Sequence, residues 1–321
     1  MRKYNVIAAG HAYTDIVASV KESFLVQNGI PIDGGYAVDN ATIGNLSAQL
    51  TNTKMLPGGP GANTVSTVSA LGGRTGFFGK VNHDHIGEFF LDDLRSRNVD
   101  LCCNPYNQTV GASATCLVLL TENKQRSFAY SPACADRFHA EDFYNFDFGS
   151  TDFFLIEACL LTSPHSIKAI AEALELSKNK CRVVVNLQMM FSWKYFERIA
   201  DFILSHADII IGNEAEQAAF QAAVTLPHSP SQIIVTTKAE RGVDAKMGGT
   251  HTTMPAPEVP HIVSTLGAGD AFTGGFLLAL SKNLSLSDSL RCGTKVAASI
   301  LQGIGARPQK LNPKLYLGQV P

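Results

Sequence analysis

The sequence predicts an α/β protein with a mostly parallel central sheet. Three observations carry that reading. From about residue 152 to 236, short apolar runs alternate with stretches of helical spacing. Residues 5–9 form a short apolar run that ends at Gly10, the pattern of a buried strand. Glycine-rich turns at residues 57–61 and 267–269 each open a run of small and apolar residues, as at a helix start.

In chain order, the first strand spans 5–9. Residues 16–55 are short mixed pieces broken by Gly29, Pro31, Gly34, Gly35 and Gly44, which fit short strands and turns better than long helices. Helices follow at 63–71 and at 86–97, the latter with acids and apolar residues at helical spacing. Strands are predicted at 112–120 and 127–130, so that 16–55 and about 100–130 form a small sheet attached to the main body. The alternation then runs as strand 152–157, helix 163–177, strand 182–186, helix 193–204, strand 207–211, helix 214–223 and strand 232–236. Apolar, glycine-containing helices run from Asp270 to about residue 302. The whole of 1–321 is expected to be one α/β unit carrying this small β sheet.

With 26 basic and 28 acidic residues the net charge is -2, which argues against a broad nucleic-acid face or a membrane-binding tail. No apolar stretch reaches membrane-spanning length, and the apolar run after Met1 is too short for a signal peptide. The seven cysteines contain no CxxC pair, and an odd count in a long chain reads as reduced thiols in a cytoplasmic protein.

The most informative segment is Ser264-Thr265-Leu266-Gly267-Ala268-Gly269-Asp270. The N–H groups of Gly267, Ala268 and Gly269 can face phosphoryl oxygens, and Asp270 can take the proton of an acceptor hydroxyl. Ordinary helix capping is the bland alternative. The Gly58-Gly59-Pro60-Gly61-Ala62-Asn63 cluster allows close approach of a ligand, and Asn63 both donates and accepts; a capped loop is its alternative. Asp15 lies shortly after the first strand, at the end that faces the ligand crevice in open α/β sheets, and suits a pair of vicinal hydroxyls; a surface turn is the other reading. Asn213 and Glu216 flank a strand-to-helix junction, where they either organise water around Mg²⁺ or form a polar cap. Arg126 is a candidate for an anionic ligand, or a surface residue. His83 and His85 read as a polar loop rather than a metal site. A Walker A motif is absent, since Gly79-Lys80 is followed by Val81, and no Rossmann fingerprint follows the first strand.

Taken together and in order, these motifs resemble the ribokinase-like, or PfkB-type, carbohydrate kinases over nearly the whole chain. The elements are Gly58 to Asn63, Gly79 to Gly87, Asn213 with Glu216, and Gly267 to Asp270 with the apolar run after it. The resemblance implies a three-layer α/β sandwich with a small β lid, ATP as phosphoryl donor and Mg²⁺ as required ion. It implies Asp270 as catalytic base, Gly267, Ala268 and Gly269 as anion hole, and Asp15, Gly59 and Asn63 as acceptor-binding residues. Asn213 and Glu216 would organise metal and phosphate, and Thr237 and Gly242 would contact the nucleotide. Such proteins act on a small-molecule nucleoside or sugar, as monomers or lid-mediated homodimers. The Asp15 position, the segment 24–35 and Gly305-Ala306-Arg307-Pro308 look like the adenosine-kinase side, which favours adenosine or another ribonucleoside over free ribose or fructose. Four positions depart from the family pattern: His11 for a frequent Asn, Ala239 for Gly, Ser264 for Asp and Leu266 for Thr. Those at Ser264 and Ala239 keep open a non-catalytic nucleoside-binding protein on the same scaffold.

Overall fold

The computed structural model describes residues 3–107, 111–123, 125–188, 196–308 and 311–317. Fourteen strands form two sheets among these residues: β1 (Tyr4–Ala9), β2 (Thr14–Ser19), β3 (Gly35–Ala37), β4 (Lys54–Pro57), β5 (Thr75–Phe78), β6 (Val99–Leu101), β7 (Thr115–Leu120), β8 (Arg126–Ser131), β9 (Thr151–Glu157), β10 (Arg182–Asn186), β11 (Ile209–Asn213), β12 (Ile233–Thr237), β13 (Val243–Met247) and β14 (Thr250–Met254). The large sheet has nine strands in the order β14-β13-β12-β11-β10-β9-β1-β5-β6. Its pairings are parallel from β12 through β6, and the β13–β14 hairpin is antiparallel.

Alternation along the strands explains why the sheet is covered on both faces. Val6 and Ala8 of β1 and Leu155 of β9 point into one buried cluster with Val65, Val68, Phe272, Phe276 and Val296, which come from the helices Pro60–Ala70, Ala268–Ser281 and Leu286–Ile300. Ile7, Ala9, Phe154 and Ile156 point the other way, against Ile170, Leu174, Phe196 and Ile203 of the helices Ile167–Ser177 and Phe196–His206. The result is helix, sheet and helix in three layers. The two central helices of the first layer approach closely because Gly274 sits over Thr67 and the carbonyl of Thr64; a Cβ there would meet Thr67 at 2.8 Å.

The second sheet has five strands in the order β3-β8-β7-β2-β4. Ile16, Ala18, Leu117, Leu119 and Ala129 face a third buried cluster with Leu25, Ile43 and Leu46. The alternate residues, Asp15, Cys116, Val118, Phe128 and Tyr130, line a cavity between this sheet and the large one. A strict period of two thus seals one face and furnishes the other.

Several predicted elements shift or change. Residues 16–55 contain two helices, Glu22–Gln27 and Asn40–Ala48, which the glycine and proline breaks concealed. They form because Leu25, Ile43 and Leu46 are buried against the small sheet and Asp39 caps the second helix through the Thr42 N–H. The helix predicted at 163–177 begins at Ile167, preceded by turns. Residues 193–195 of the helix predicted at 193–204 lie outside the described residues; the described part is Phe196–His206. The hairpin β13–β14 and the strands β5 and β6 went unread. The edge strand β14 mixes polar residues and lacks a clean hydrophobic period, and β5 and β6 are only 4 and 3 residues long, too short for a period to show.

Candidate active site

The cavity between the sheets has a volume of about 860 Å³ and is lined by the carboxyl ends of the large sheet's strands, by the small sheet and by the turn before the helix Ala268–Ser281. Among the residues singled out from the sequence, Asp15, Gly59, Asn63, Asn213, Glu216, Thr237, Gly267, Ala268, Gly269 and Asp270 all line it. Gly242 and Arg126 are not part of the lining. Arg126 opens β8, pairing with Leu120 at the far end of that strand pair.

Gly267 adopts a left-handed conformation, with φ of 76°, where a Cβ would meet Ala306 at 2.4 Å. That turn starts the helix Ala268–Ser281 and puts Asp270 in its first turn. Space is open above Gly269, whose hypothetical Cβ meets nothing within 4 Å. A helix N-terminus beneath open space suits an anion.

Asp270 is buried, and both its oxygens are engaged. Oδ2 accepts from Asn63 Nδ2 at 2.9 Å and Oδ1 accepts from Gln188 Nε2 at 2.5 Å. Burial raises its pKa to about 6, against the two hydrogen bonds and the nearby Arg307, which favour the ionised form. Asp15 is buried on the facing sheet, and burial raises its pKa to about 7; Arg307 pulls the value down and Asp270 adds to the rise. A side chain at Gly58 would displace this carboxylate, since a Cβ would lie 2.5 Å from Asp15 Oδ1. Gly59, with φ of 82°, turns the chain into the helix Pro60–Ala70 and presses against the His11 carbonyl.

Asn63 is held from behind. Its Oδ1 accepts from Arg307 Nε at 2.9 Å, while Arg307 also donates to Asp93 Oδ2 at 2.5 Å and to the Gly58 carbonyl at 2.5 Å. The guanidinium lies 5.1 Å from the centre of the Phe90 ring. Burial lowers the Arg307 pKa to about 10, with Asp93 acting against the fall, so the group stays charged at neutral pH. A continuous relay therefore runs from Asp93 through Arg307 and Asn63 to Asp270. Glu157, at the end of β9, braces the same wall: Oε1 accepts from Gly61 N–H at 2.7 Å and Oε2 from His11 N–H at 3.1 Å.

Asn213 and Glu216 form a reciprocal capping box on the helix Glu214–Ala223. The Glu216 N–H donates to Asn213 Oδ1 at 2.9 Å, and the Asn213 N–H donates to Glu216 Oε2 at 2.8 Å. The polar-cap reading of these residues thus holds, and both still border the cavity. Burial raises the Glu216 pKa, opposed by the Asn213 N–H. Ala239, at the position the resemblance assigns to glycine, keeps the left-handed backbone, with φ of 51°. A Cβ in that region costs about 1 kcal/mol.

The sequence alone does not single out Gln188, Glu157, Asp93 or Arg307. Glu157 ends β9 and Gln188 follows β10 by two residues, so the strand-end rule that picked out Asp15 also reaches them. Arg307 had been noted only as part of a segment, and its role depends on contacts with residues more than 200 positions away.

The comparisons with known proteins agree with this architecture. The model of the pfkB family carbohydrate kinases matches residues 32–313. An adenosine kinase of Saccharomyces cerevisiae is 26% identical over 329 residues, covering 94% of this chain and 95% of its own. A ketohexokinase of Mus musculus is 27% identical over 255 residues, covering 75% of this chain and 83% of its own. The crystal structure of an adenosine kinase from Sinorhizobium meliloti superposes with a TM-score of 0.85 at 25% identity, over 95% of this chain and 96% of that one.

Proposed function

Since this chain belongs to the pfkB family of carbohydrate kinases, we propose that it transfers the γ-phosphoryl group of ATP to a primary hydroxyl of a ribonucleoside, adenosine before others. The observation that carries this reading is the Asp270 carboxylate, buried in the cavity wall at a helix N-terminus and oriented by Asn63 and Gln188. Asp270 takes the proton of the acceptor hydroxyl as the phosphorus–oxygen bond forms. The N–H groups of the turn from Gly267 to Gly269, with the dipole of their helix, receive the charge on the transferring group. Asp15 and Asn63 hold the acceptor's sugar, and the small sheet over the cavity keeps water from competing as acceptor.

Gly267, Ala268 and Gly269 line the cavity and no atom lies within 4 Å of a Cβ built on Gly269, so the turn is open to a phosphoryl group, and the oxygen donors of Asn213 and Glu216 beside the cavity suit Mg²⁺. When bound, Mg²⁺ supplies neutralising charge to the phosphoryl oxygens.

The nucleoside is favoured by the wall formed by Tyr13, Val118, Phe128 and Tyr130, an apolar and aromatic surface for a base. Relatives include an adenosine kinase that spans nearly the whole chain. A free sugar is the second reading, supported by the similarity to a ketohexokinase. ATP consumption measured with a panel of nucleosides and sugars decides between them. Turnover with adenosine well above that with ribose or fructose is expected; the reverse order assigns a sugar kinase, and binding without ATP consumption overturns the catalytic reading. Asp15→Ala is expected to raise the acceptor KM by roughly 10- to 100-fold, the loss of about 1.5–3 kcal/mol of charged hydrogen bonding, with a smaller effect on kcat. An unchanged acceptor KM removes Asp15 from the acceptor site.

A further inference from the structure

The cavity wall carries a second constellation that the phosphoryl-transfer reading leaves unused. His11 lies just past β1, Glu157 ends β9, and Cys159 follows in the short turn Ala158–Leu161. All three line the cavity, and His11 and Glu157 are buried. One nitrogen, one sulfur and one oxygen form a close triangle. Cys159 Sγ is 3.3 Å from His11 Nδ1 and 3.5 Å from Glu157 Oε2, and Nδ1 is 3.4 Å from Oε2.

These separations match one face of a coordination tetrahedron. Bonds of about 2.0–2.1 Å to nitrogen, 2.0–2.2 Å to oxygen and 2.3 Å to sulfur place tetrahedral ligands about 3.4–3.6 Å apart. We propose that His11, Glu157 and Cys159 form a three-ligand site for a borderline-soft divalent transition ion, Zn²⁺ in type, with its fourth position open to the cavity. The donor set excludes the hard ion of the kinase reaction, because Mg²⁺ takes oxygen ligands and keeps its waters. The outer shell is in place as well. The His11 N–H bonds Glu157 Oε2, and the Gly61 N–H holds Oε1 at 2.7 Å, so the carboxylate is oriented before any ion arrives. Binding releases two protons to solvent, one from the Cys159 thiol and one from the His11 imidazolium, and leaves the ion bound by thiolate, carboxylate and neutral imidazole. A water or an acceptor hydroxyl fills the open position.

The site is tested on the full-length protein by titration with Zn²⁺ against a chelating indicator, and with Co²⁺ by absorption spectroscopy, both in excess Mg²⁺. One equivalent of Zn²⁺ bound at low micromolar concentration is expected. The Co²⁺ form should show the intense bands of a tetrahedral ion together with a thiolate charge-transfer band. His11→Asn and Cys159→Ser are each expected to weaken Zn²⁺ binding by more than about tenfold. Cys159→Ser removes the charge-transfer band, while Cys181→Ser leaves both measurements as they were. No stoichiometric binding by the unmodified protein, a Co²⁺ spectrum without thiolate character, or affinity untouched by both ligand variants overturns the site and leaves three hydrogen-bonded side chains. Absence of thiolate character in the unmodified protein's Co²⁺ spectrum overturns the site even if a variant fails to fold. Neither measurement involves phosphoryl transfer, so the outcome is independent of the kinase reading.

Discussion

Asp270→Asn is expected to lower kcat by about 10²- to 10⁴-fold, the usual contribution of a positioned general base. The acceptor's affinity should change little, because Asp15 and Asn63 remain. The pH profile supplies a second, sharper test. The raised pKa of Asp270, about 6, means that the carboxylate becomes an available base only above that pH. Turnover of the unmodified protein should therefore fall as pH drops through about 6, and the residual turnover of the variant should lack that limb. Asp15, with its pKa at about 7, should appear instead in the acceptor KM.

The same substitution tests the physical cause of the shift. A carboxylate whose folded pKa lies above its unfolded value holds a proton in the native state that the unfolded chain has already released. Its contribution to stability is then present below about pH 4 and is lost as pH rises through about 6. For Asp270 the difference from 3.8 to about 6 corresponds to a native-state cost of about 3 kcal/mol at pH 8. Asparagine removes the charge but offers one acceptor and one donor where the carboxylate offered two acceptors. Gln188 can absorb the change by rotating its amide, since its buried Oε1 has no hydrogen-bond partner among the described residues. The variant should thus melt no lower than the unmodified protein at pH 8. Turnover within tenfold of the unmodified protein would falsify Asp270 as the base, and a large fall in melting temperature would show that the carboxylate is structural.

Arg307→Leu carries the second large effect, on stability and turnover together. The guanidinium is buried and donates to Asp93, Asn63 and the Gly58 carbonyl, above the Phe90 ring. Removing one partner of a buried ionic network typically costs 3–5 kcal/mol, because the groups left behind are neither solvated nor paired, and about 3 kcal/mol is expected here. The lower figure follows from Asp93, which keeps its bond to Arg97 Nε at 2.8 Å. A fall of roughly 5–10 °C in melting temperature corresponds to that loss. Turnover should drop as well, since Asn63 loses the contact that orients it toward Asp270. Arg307→Lys preserves the charge but not the planar fork that reaches three acceptors at once, so it should recover part of the stability and little of the turnover. A melting temperature within 2 °C of the unmodified value for the leucine variant, a shift near the roughly 1 kcal/mol level of an ordinary substitution, removes the network from the account.

The two predictions rest on residues of different legibility. The placement of Asp270 at a helix start was readable because a glycine-rich turn, a carboxylate and an apolar helix are contiguous in the chain, and local geometry follows from local sequence. The positions of Asn63 and Asp15 on the cavity wall were readable for the same reason, one within a glycine cluster and the other just past a buried strand. The helix at Glu214–Ala223 was predicted with its bounds intact, since its capping residues flank it at fixed spacing. The helices Glu22–Gln27 and Asn40–Ala48 were missed because breakers surround them and their stability comes from burial against the small sheet.

Periodicity and turn chemistry, acting over a few residues, were enough to determine an α/β protein with a parallel sheet and a glycine turn ending in an acid, while the family resemblance came from four motifs in order along the chain. Which side chains then meet was decided by the folded chain alone. Arg307 donates to Asn63 across 244 positions, Asn63 to Asp270 across 207, and Gln188 to Asp270 across 82. Burial at those junctions also moves the two carboxylates out of their ordinary range. Desolvation and long-range hydrogen bonding are properties of the packed site, and no short window of residues encodes them.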